Sequence, residues 1–214
     1  MRIGILGSGL MGGKLGTIFA RAGHQVVFSY ARSRKKLETL AKEAGRNARA
    51  GAPAEAARDA DAVLLAVHWS RFDDVLKQAG DLSGQVVLTC SLPMDARDTR
   101  LVVANNSSGA EELARMLPKS RIVSAFNTVP SEVLFGVFES RRKAGRPSLL
   151  YCSDNNRAKS VAAQLIRGAG FEPVDAGSLK IARYTEPFAL LMAQLAYEGD
   201  GGPEVAYRFE RFRK

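Results

Sequence analysis

The chain is poor in the residues from which metal sites and disulfide frameworks are built: 214 residues contain two cysteines and two histidines. Cys90 and Cys152 stand far apart without metal-ligand neighbours, so neither a zinc site nor a disulfide scaffold is expected, and a reducing, cytoplasmic setting is. Long hydrophobic runs are also missing. The longest, residues 62–67 and 188–195, fall well short of the ~18 apolar residues of a membrane span. Met1 to Leu6 run straight into Gly7 without a charged leader and cleavage site, so export is not expected either. No G-x-S-x-G elbow and no nucleophile paired with a base can be found, which argues against hydrolytic chemistry. What the chain does have is a 46% hydrophobic share, enough to build a core and exclude a disordered chain. It also carries a net charge of +9, from 31 Lys and Arg against 22 Asp and Glu. Such a surplus suits an anionic ligand or nucleic acid. The basic residues are, however, spread through helices and two loops without any nucleic-acid-binding motif, so no nucleic-acid partner is expected.

Short aliphatic runs alternate with longer helical patterns. The strands are expected at residues 3–6, 25–29, 62–67, 85–89, 121–125 and 149–152, with helices at 10–22, 34–45, 54–59, 71–80, 109–117 and 155–170. Alternation of this kind predicts an α/β fold: a Rossmann-type, doubly wound, mainly parallel sheet with helices on both faces. Residues 62–67 and 85–88 are apolar almost throughout, as central strands covered on both faces should be. A last helix over residues 179–197 ends at Gly199 to Pro203. The expected organisation is thus a dinucleotide-binding domain, residues 1–178, and a C-terminal helical extension, residues 179–214, that completes an acceptor site or a dimer interface. Residues 139–148 read as a mobile basic loop.

The strongest motif is Gly7-Ser8-Gly9-Leu10-Met11-Gly12, a G-x-G-x-x-G between the first strand and the first helix. Gly7 permits the tight turn, Gly9 lets the backbone approach a pyrophosphate, and Gly12 lets helix and strand pack closely, with the phosphates at the helix N-terminus. Chains that prefer NAD carry Asp or Glu about 20 residues further on, at the end of the second strand, to bond the ribose hydroxyls. Here the first acidic residue is Glu38, and the strand leads instead into Ser29-Tyr30-Ala31-Arg32-Ser33-Arg34. Arg32 and Arg34 offer planar forks to a 2′-phosphate and Ser29 and Ser33 offer hydroxyls, so NADP(H) is the expected cofactor.

On these residues, the chain resembles the NADP oxidoreductases that use the deazaflavin coenzyme F420, relatives of the STEAP reductase domain. The resemblance covers most of the chain. It rests on the glycine loop, on Ala66-Val67-His68-Trp69, on Ser91-Leu92-Pro93, on Ser124-Ala125-Phe126-Asn127-Thr128-Val129-Pro130, and on Asp175-Ala176-Gly177-Ser178-Leu179. It implies hydride transfer between NADPH and coenzyme F420 or a flavin-like acceptor, with subunits paired into a homodimer through the C-terminal helices. Val67, His68 and Trp69 then fall beside the cofactor, and Pro93, Asn127, Thr128, Val129 and Pro130 beside the acceptor. Two residues depart from the family pattern: His68, where proline is common, and Asn127, where a histidine stands.

Hydride transfer between two cofactors chiefly needs two stacked rings, so no obligatory catalytic acid-base pair and no metal is expected. For His24, a packing or surface role is expected. His68 is read either as a contact to cofactor or substrate or as a loop residue, Trp69 as packing or stacking, and Cys90 as a small buried residue. Asn127 and Thr128 either bond the nicotinamide carboxamide or the acceptor ring, or cap their loop. Two other enzyme classes, hydroxyacid dehydrogenases and imine reductases, share the glycine loop but append a helical domain for which little chain remains after Leu179. A third reading is an NADPH-binding redox sensor without turnover, and a fourth a reductase of an unidentified small substrate.

Overall fold

Strand and helix alternate along the computed structural model, which describes residues 1–212. In order they are β1 (Arg2–Leu6), α1 (Leu10–Arg21), β2 (Gln25–Ser29), α2 (Arg34–Ala44), β3 (Ala48–Ala50), α3 (Pro53–Ala57), β4 (Ala62–Leu65), α4 (Phe72–Ala79), β5 (Val86–Thr89), α5 (Gly109–Met116), β6 (Arg121–Ala125), α6 (Val133–Glu139), β7 (Ser148–Cys152), α7 (Asn156–Gly168), β8 (Glu172–Asp175) and α8 (Ala182–Tyr197). The eight strands form one sheet in the order β3-β2-β1-β4-β5-β6-β7-β8. All neighbours run parallel except β6 and β7, which pair antiparallel through Ser124 and Cys152. The expected Rossmann-type doubly wound sheet is the observed fold. Its winding reverses between β1 and β4, and at such a switch point the loops diverge and leave a crevice. Leu6 stands opposite both Ser29 and Leu65, which brings the ends of β1, β2 and β4 level at that crevice.

Local chemistry explains the element ends. Ser33, Ser108 and Asn155 cap α2, α5 and α7 by accepting the N–H groups of Lys36, Glu111 and Ala158. β4 and β5 are buried along their whole length, as the unbroken apolar runs foretold. One face of the sheet packs α1, α2, α6 and α7 through a cluster that includes Ile5, Phe19, Phe28 and Ile166, and the other packs α3, α4 and α5 through Leu6, Val63, Phe72 and Leu113. Burying a side chain such as Phe28 contributes about 1.5–3 kcal/mol.

Three elements escape the sequence pattern. β3 is only Ala-Arg-Ala, β8 contains Pro173 and is tolerated as the sheet's edge, and α6 has Gly136 in an apolar run without clear period. β4 also stops at Leu65, so Ala66 and Val67 begin the following loop. In the basic loop, Arg141 lies over the Phe138 ring, 4.0 Å from its centroid, and donates to the Phe138 carbonyl, so it is anchored.

The chain returns to the sheet at its end. The buried Glu186 of α8 accepts the N–H groups of Gly109 and Ala110 at 2.8 and 3.0 Å, and Arg183 forms a two-pronged pair with Glu111, so α8 is docked on the start of α5. The tail then runs beside β7, where Tyr207 accepts the Ser148 N–H with its carbonyl and the Leu150 N–H with its hydroxyl. Residues 213 and 214 of the expected C-terminal extension lie outside the described residues. Among the described residues no helix is long and apolar enough to cross a membrane, and no cluster of metal-ligating side chains is present.

Candidate active site

The crevice at the switch point opens into a cleft of about 1020 Å³, lined by Gly7, Ser8, Gly9, Leu10, Tyr30, Arg32, Arg34, Val67 and His68 among others. Gly7 has φ +110°, and a β-carbon there would lie 2.4 Å from the Ala66 carbonyl oxygen, so only glycine makes this turn. A β-carbon on Gly12 would lie 1.8 Å from the Gly7 carbonyl oxygen, which fixes how closely α1 approaches β1. Gly9 is different. Its φ of −78° suits any residue, and its β-carbon would meet nothing within 4 Å. Neither the backbone nor the packing of this chain requires glycine there. A phosphate group brought against the first turn of α1 does, and this is the observation by which the loop fits a dinucleotide.

The far side of the cleft is strongly basic, with Arg32, Arg34, Lys36, Arg49 and Arg71 against one carboxylate, Glu55. Glu55 accepts the Ala52 N–H, and this bond holds its carboxyl below the usual range. Tyr30, in the left-handed conformation at φ 54°, occupies the end of β2 and donates its hydroxyl to Asp74. Burial, then this bond, raises its pKa. Arg34 is shared with Glu38 at 3.0 Å, and the exposed Arg32 has no such partner. Arg49 and Arg71 were not among the residues singled out from sequence. Arg49 sits on the unforeseen β3, and Arg71 ends the 3-10 turn before α4, so only the folded crossovers bring them to the cleft.

Several expected cofactor residues turn elsewhere. Ser29 is fully buried and donates its hydroxyl to the Ile5 carbonyl at 2.7 Å, while its own carbonyl accepts from Gly7 and from the Ser8 hydroxyl, so it braces the loop from behind. Ser33 is spent as the cap of α2. Trp69 packs on Phe72, with ring centroids 4.6 Å apart, and lines neither cavity. Met11 faces the second cavity.

That second cavity, about 310 Å³, shares Leu10, Val67 and His68 with the cleft and extends beneath α8. Asn127, Val129 and Pro130 line it, as do Met11, Leu92, Met94, Asp98, Ala189, Met192 and Tyr197. The contribution of residues 94–98 and of the turns of α8 was not legible in sequence, since nothing local in either segment points at a pocket. His68 ties these walls together. Its Nδ1 lies 3.2 Å from the Ser70 N–H and 2.8 Å from the Ser70 hydroxyl, and its Nε2 lies 3.2 Å from both the Asp95 carbonyl and the Asp98 carboxylate. Tyr197 donates to Glu132, and burial together with that bond pushes its hydroxyl up to about 12. Cys90 is likewise pushed up to about 12 by burial and is an inert thiol.

Two expected acceptor contacts are behind the wall. Pro93 is buried against Gly109, where a β-carbon would lie 2.9 Å from its Cδ. Thr128 is fully buried, its hydroxyl bonded to that of Tyr207 at 2.7 Å, so it anchors the tail to the loop carrying Asn127. Arg141, Arg142, Lys143 and Arg146 line neither cavity.

Residues 2–93, which contain the glycine loop and the crossovers of the cleft, match the model of the family described as NADP oxidoreductase coenzyme F420-dependent. Among curated proteins, the metalloreductase STEAP3 of Rattus norvegicus is 28% identical over 88% of this chain and 36% of its own length. The F420-dependent NADP reductase of Methanocaldococcus jannaschii is 28% identical over 66% of this chain and 64% of its own. The chain therefore spans between one quarter and just under two thirds of the length of the curated relatives it matches. Among solved structures, a proposed F420-dependent NADP reductase of Arthrobacter sp. FB24 superposes with a TM-score of 0.85 over 99% of this chain and all of that one, at 22% identity. A reductive aminase of Aspergillus terreus, solved with NADPH, matches with a TM-score of 0.65 at 15% identity over 90% of this chain and 60% of its own. These two show the shared fold. The resemblance carried by the loops is thus met in a family model, in curated relatives and in solved folds, and it is a resemblance to the F420-dependent NADP oxidoreductases.

Proposed function

We propose that the chain is an NADP(H)-dependent oxidoreductase that passes hydride between NADPH and a deazaflavin such as coenzyme F420, or a similar flavin-like acceptor. The observation that carries this reading is the meeting of the two cavities at Leu10, Val67 and His68. The Gly9 gap and the N-terminus of α1 suit the pyrophosphate, and the basic rim of Arg32, Arg34, Lys36, Arg49 and Arg71 suits a 2′-phosphate. When bound, NADPH supplies the hydride at its nicotinamide ring. With the phosphates at the glycine loop, Val67 and His68, just past the carboxyl end of β4, would hold that ring.

The residues of the chain then act by orienting and excluding. Val129, Pro130, Met94 and Met192 form an apolar wall that keeps water from the meeting point, and His68, held by Ser70, ties residues 95–98 over it. The acceptor gains one hydride from NADPH and one proton from solvent, so no side chain has to serve as acid or base for this chemistry. The outward face of α8, with Tyr184, Leu191 and Leu195 exposed, is the surface through which we propose two copies pair.

Purified protein is to be assayed for NADPH oxidation against deazaflavin, flavins, quinones and ferric chelates. Transfer of deuterium from C4-labelled NADPH to the deazaflavin or flavin is the expected result. Saturable NADPH binding without transfer to any of these acceptors would refute the reading.

A further inference from the structure

The second cavity is unlike the cleft beside it. Among the described residues, five cations face the cleft, whereas no lysine or arginine lines the cavity, whose single carboxylate is Asp98. Its wall is mostly thioether and aliphatic carbon, a surface that takes flat apolar rings. One polar group in that wall is unspent: the side-chain nitrogen of Asn127, Nδ2, is buried and has no hydrogen-bond partner among the described residues. An unsatisfied buried donor costs about 1–3 kcal/mol, and folded proteins seldom leave one without a reason. Asn127 lines the cavity, and its terminal amide torsion is soft, so rotation about it is the route by which this group reaches a bound ring. The neighbouring polar groups do not compete for it, since Thr128 is bound to Tyr207, Tyr197 to Glu132 and His68 to Ser70 and Asp95.

Resting on the reading of this cavity as the acceptor's, we infer that Asn127 is the specificity-determining residue, and that it selects an uncharged planar ring bearing a lactam or imide edge. A carboxamide offers one N–H donor and one carbonyl acceptor side by side, which complements a ring C=O next to a ring N–H. Such an edge satisfies the orphaned donor, and the apolar wall covers the rest of the ring. An anionic ferric chelate finds neither a cation nor an apolar match here and faces Asp98, so it is disfavoured. Selection by a hydrogen bond is sharp because an acceptor lacking the edge leaves the buried amide unpaired.

The test uses the full chain and its Asn127→Leu variant, which keeps the volume and removes the amide. Three quantities are read: the thermal midpoint, the NADPH dissociation constant, and kcat/KM for 5-deazariboflavin, which has the imide edge, and for menadione, which has ring C=O groups but no N–H beside them. Ferric citrate is included as the anionic chelate. The variant should melt at the same temperature or higher, bind NADPH within twofold of the parent, and lose at least tenfold in kcat/KM for the deazaflavin, with a several-fold smaller loss for menadione, whose carbonyl meets only the donor half of the amide. A lowered thermal midpoint with unchanged selectivity marks a purely structural amide and overturns the inference. Weaker NADPH binding with an unchanged deazaflavin KM assigns Asn127 to the nicotinamide carboxamide and overturns it too. Faster reduction of ferric citrate than of deazaflavin by the parent overturns the substrate class while leaving the NADPH reading intact. Should no acceptor be reduced, the proposed function fails. The inference is then decided by binding: 5-deazariboflavin should raise the parent's thermal midpoint in the presence of NADP+ and not the variant's, and equal shifts overturn it.

Discussion

Removing the guanidinium groups at the rim of the cleft should convert an NADPH-selective chain into one indifferent to the 2′-phosphate. The cofactors differ by that phosphate, and the residues able to meet it are Arg32 and Arg34, supported by Lys36, Arg49 and Arg71. A hydrogen bond to a charged group contributes about 1.5–3 kcal/mol when well buried, but exposed ion pairs give about 0–1. The Arg34 side chain is 88% exposed and already paired with Glu38, so its contact belongs to the weaker class, and the exposed Arg32 has no competing partner. Taking roughly 1 kcal/mol from each of two such contacts gives about 2 kcal/mol, or about thirtyfold in affinity. Titration of nicotinamide fluorescence should therefore show NADPH binding at least tenfold tighter than NADH, the gap narrowing as salt is raised. Arg32→Ala should remove more of the preference than Arg34→Ala, and the double substitution most of it, with NADH affinity nearly unchanged. Glu38→Gln, which frees Arg34, should widen the gap. Equal affinities for NADPH and NADH in the unsubstituted chain, or a double variant that weakens both cofactors alike, would refute the assignment of the basic rim to the phosphate.

The glycines of the loop should separate binding from stability. Gly9→Val is expected to melt within a degree or two of the parent yet bind NADPH at least tenfold more weakly, whereas Gly12→Ala should lower the melting temperature outright, because its β-carbon meets the Gly7 carbonyl oxygen at 1.8 Å. Calorimetry with a binding titration tells the two apart. Burial raises the Glu186 carboxyl from 4.5 to about 7, against the pull of two backbone N–H groups. A folded-state pKa above the unfolded one means that this stability is fully present below about pH 4.5 and is lost as pH rises through about 7. At one pKa unit per about 1.4 kcal/mol, the loss is on the order of 3 kcal/mol at most. Glu186→Gln should flatten the pH dependence of the melting temperature across that window, and an unchanged slope would count against it. Finally, light scattering should report a dimer at micromolar concentration, and Leu191→Asp with Leu195→Asp should yield monomers; a monomeric parent would dismiss α8 as the contact.

The order of strands and helices was written into the chain because period and punctuation are local. The apolar runs of β4 and β5 could only be covered strands, and Gly7 to Gly12 between a strand and a helix could only be a tight phosphate-sized turn. The missing carboxylate after β2 likewise spoke for itself, since that position is set by counting along the chain from the loop. Other residues needed the fold. Ser29 and Thr128 have the right chemistry at the right place in sequence, yet both point into the protein: Ser29 ends a strand and turns its hydroxyl to the Ile5 carbonyl, and Thr128, in the loop after β6, turns its own to Tyr207. Arg49, Arg71, Asp98 and Met192 carry no local sign of a site, and they arrive from β3, a 3-10 turn, a loop and α8 only when the parallel crossovers close. Hydrophobic periodicity decides which elements form and which faces they bury. Which side chains end beside one another across the crevice depends on contacts between residues far apart in sequence, such as Thr128 with Tyr207, Gly109 with Glu186 or Lys14 with Ser131, 117 positions apart, and packing alone selects among those.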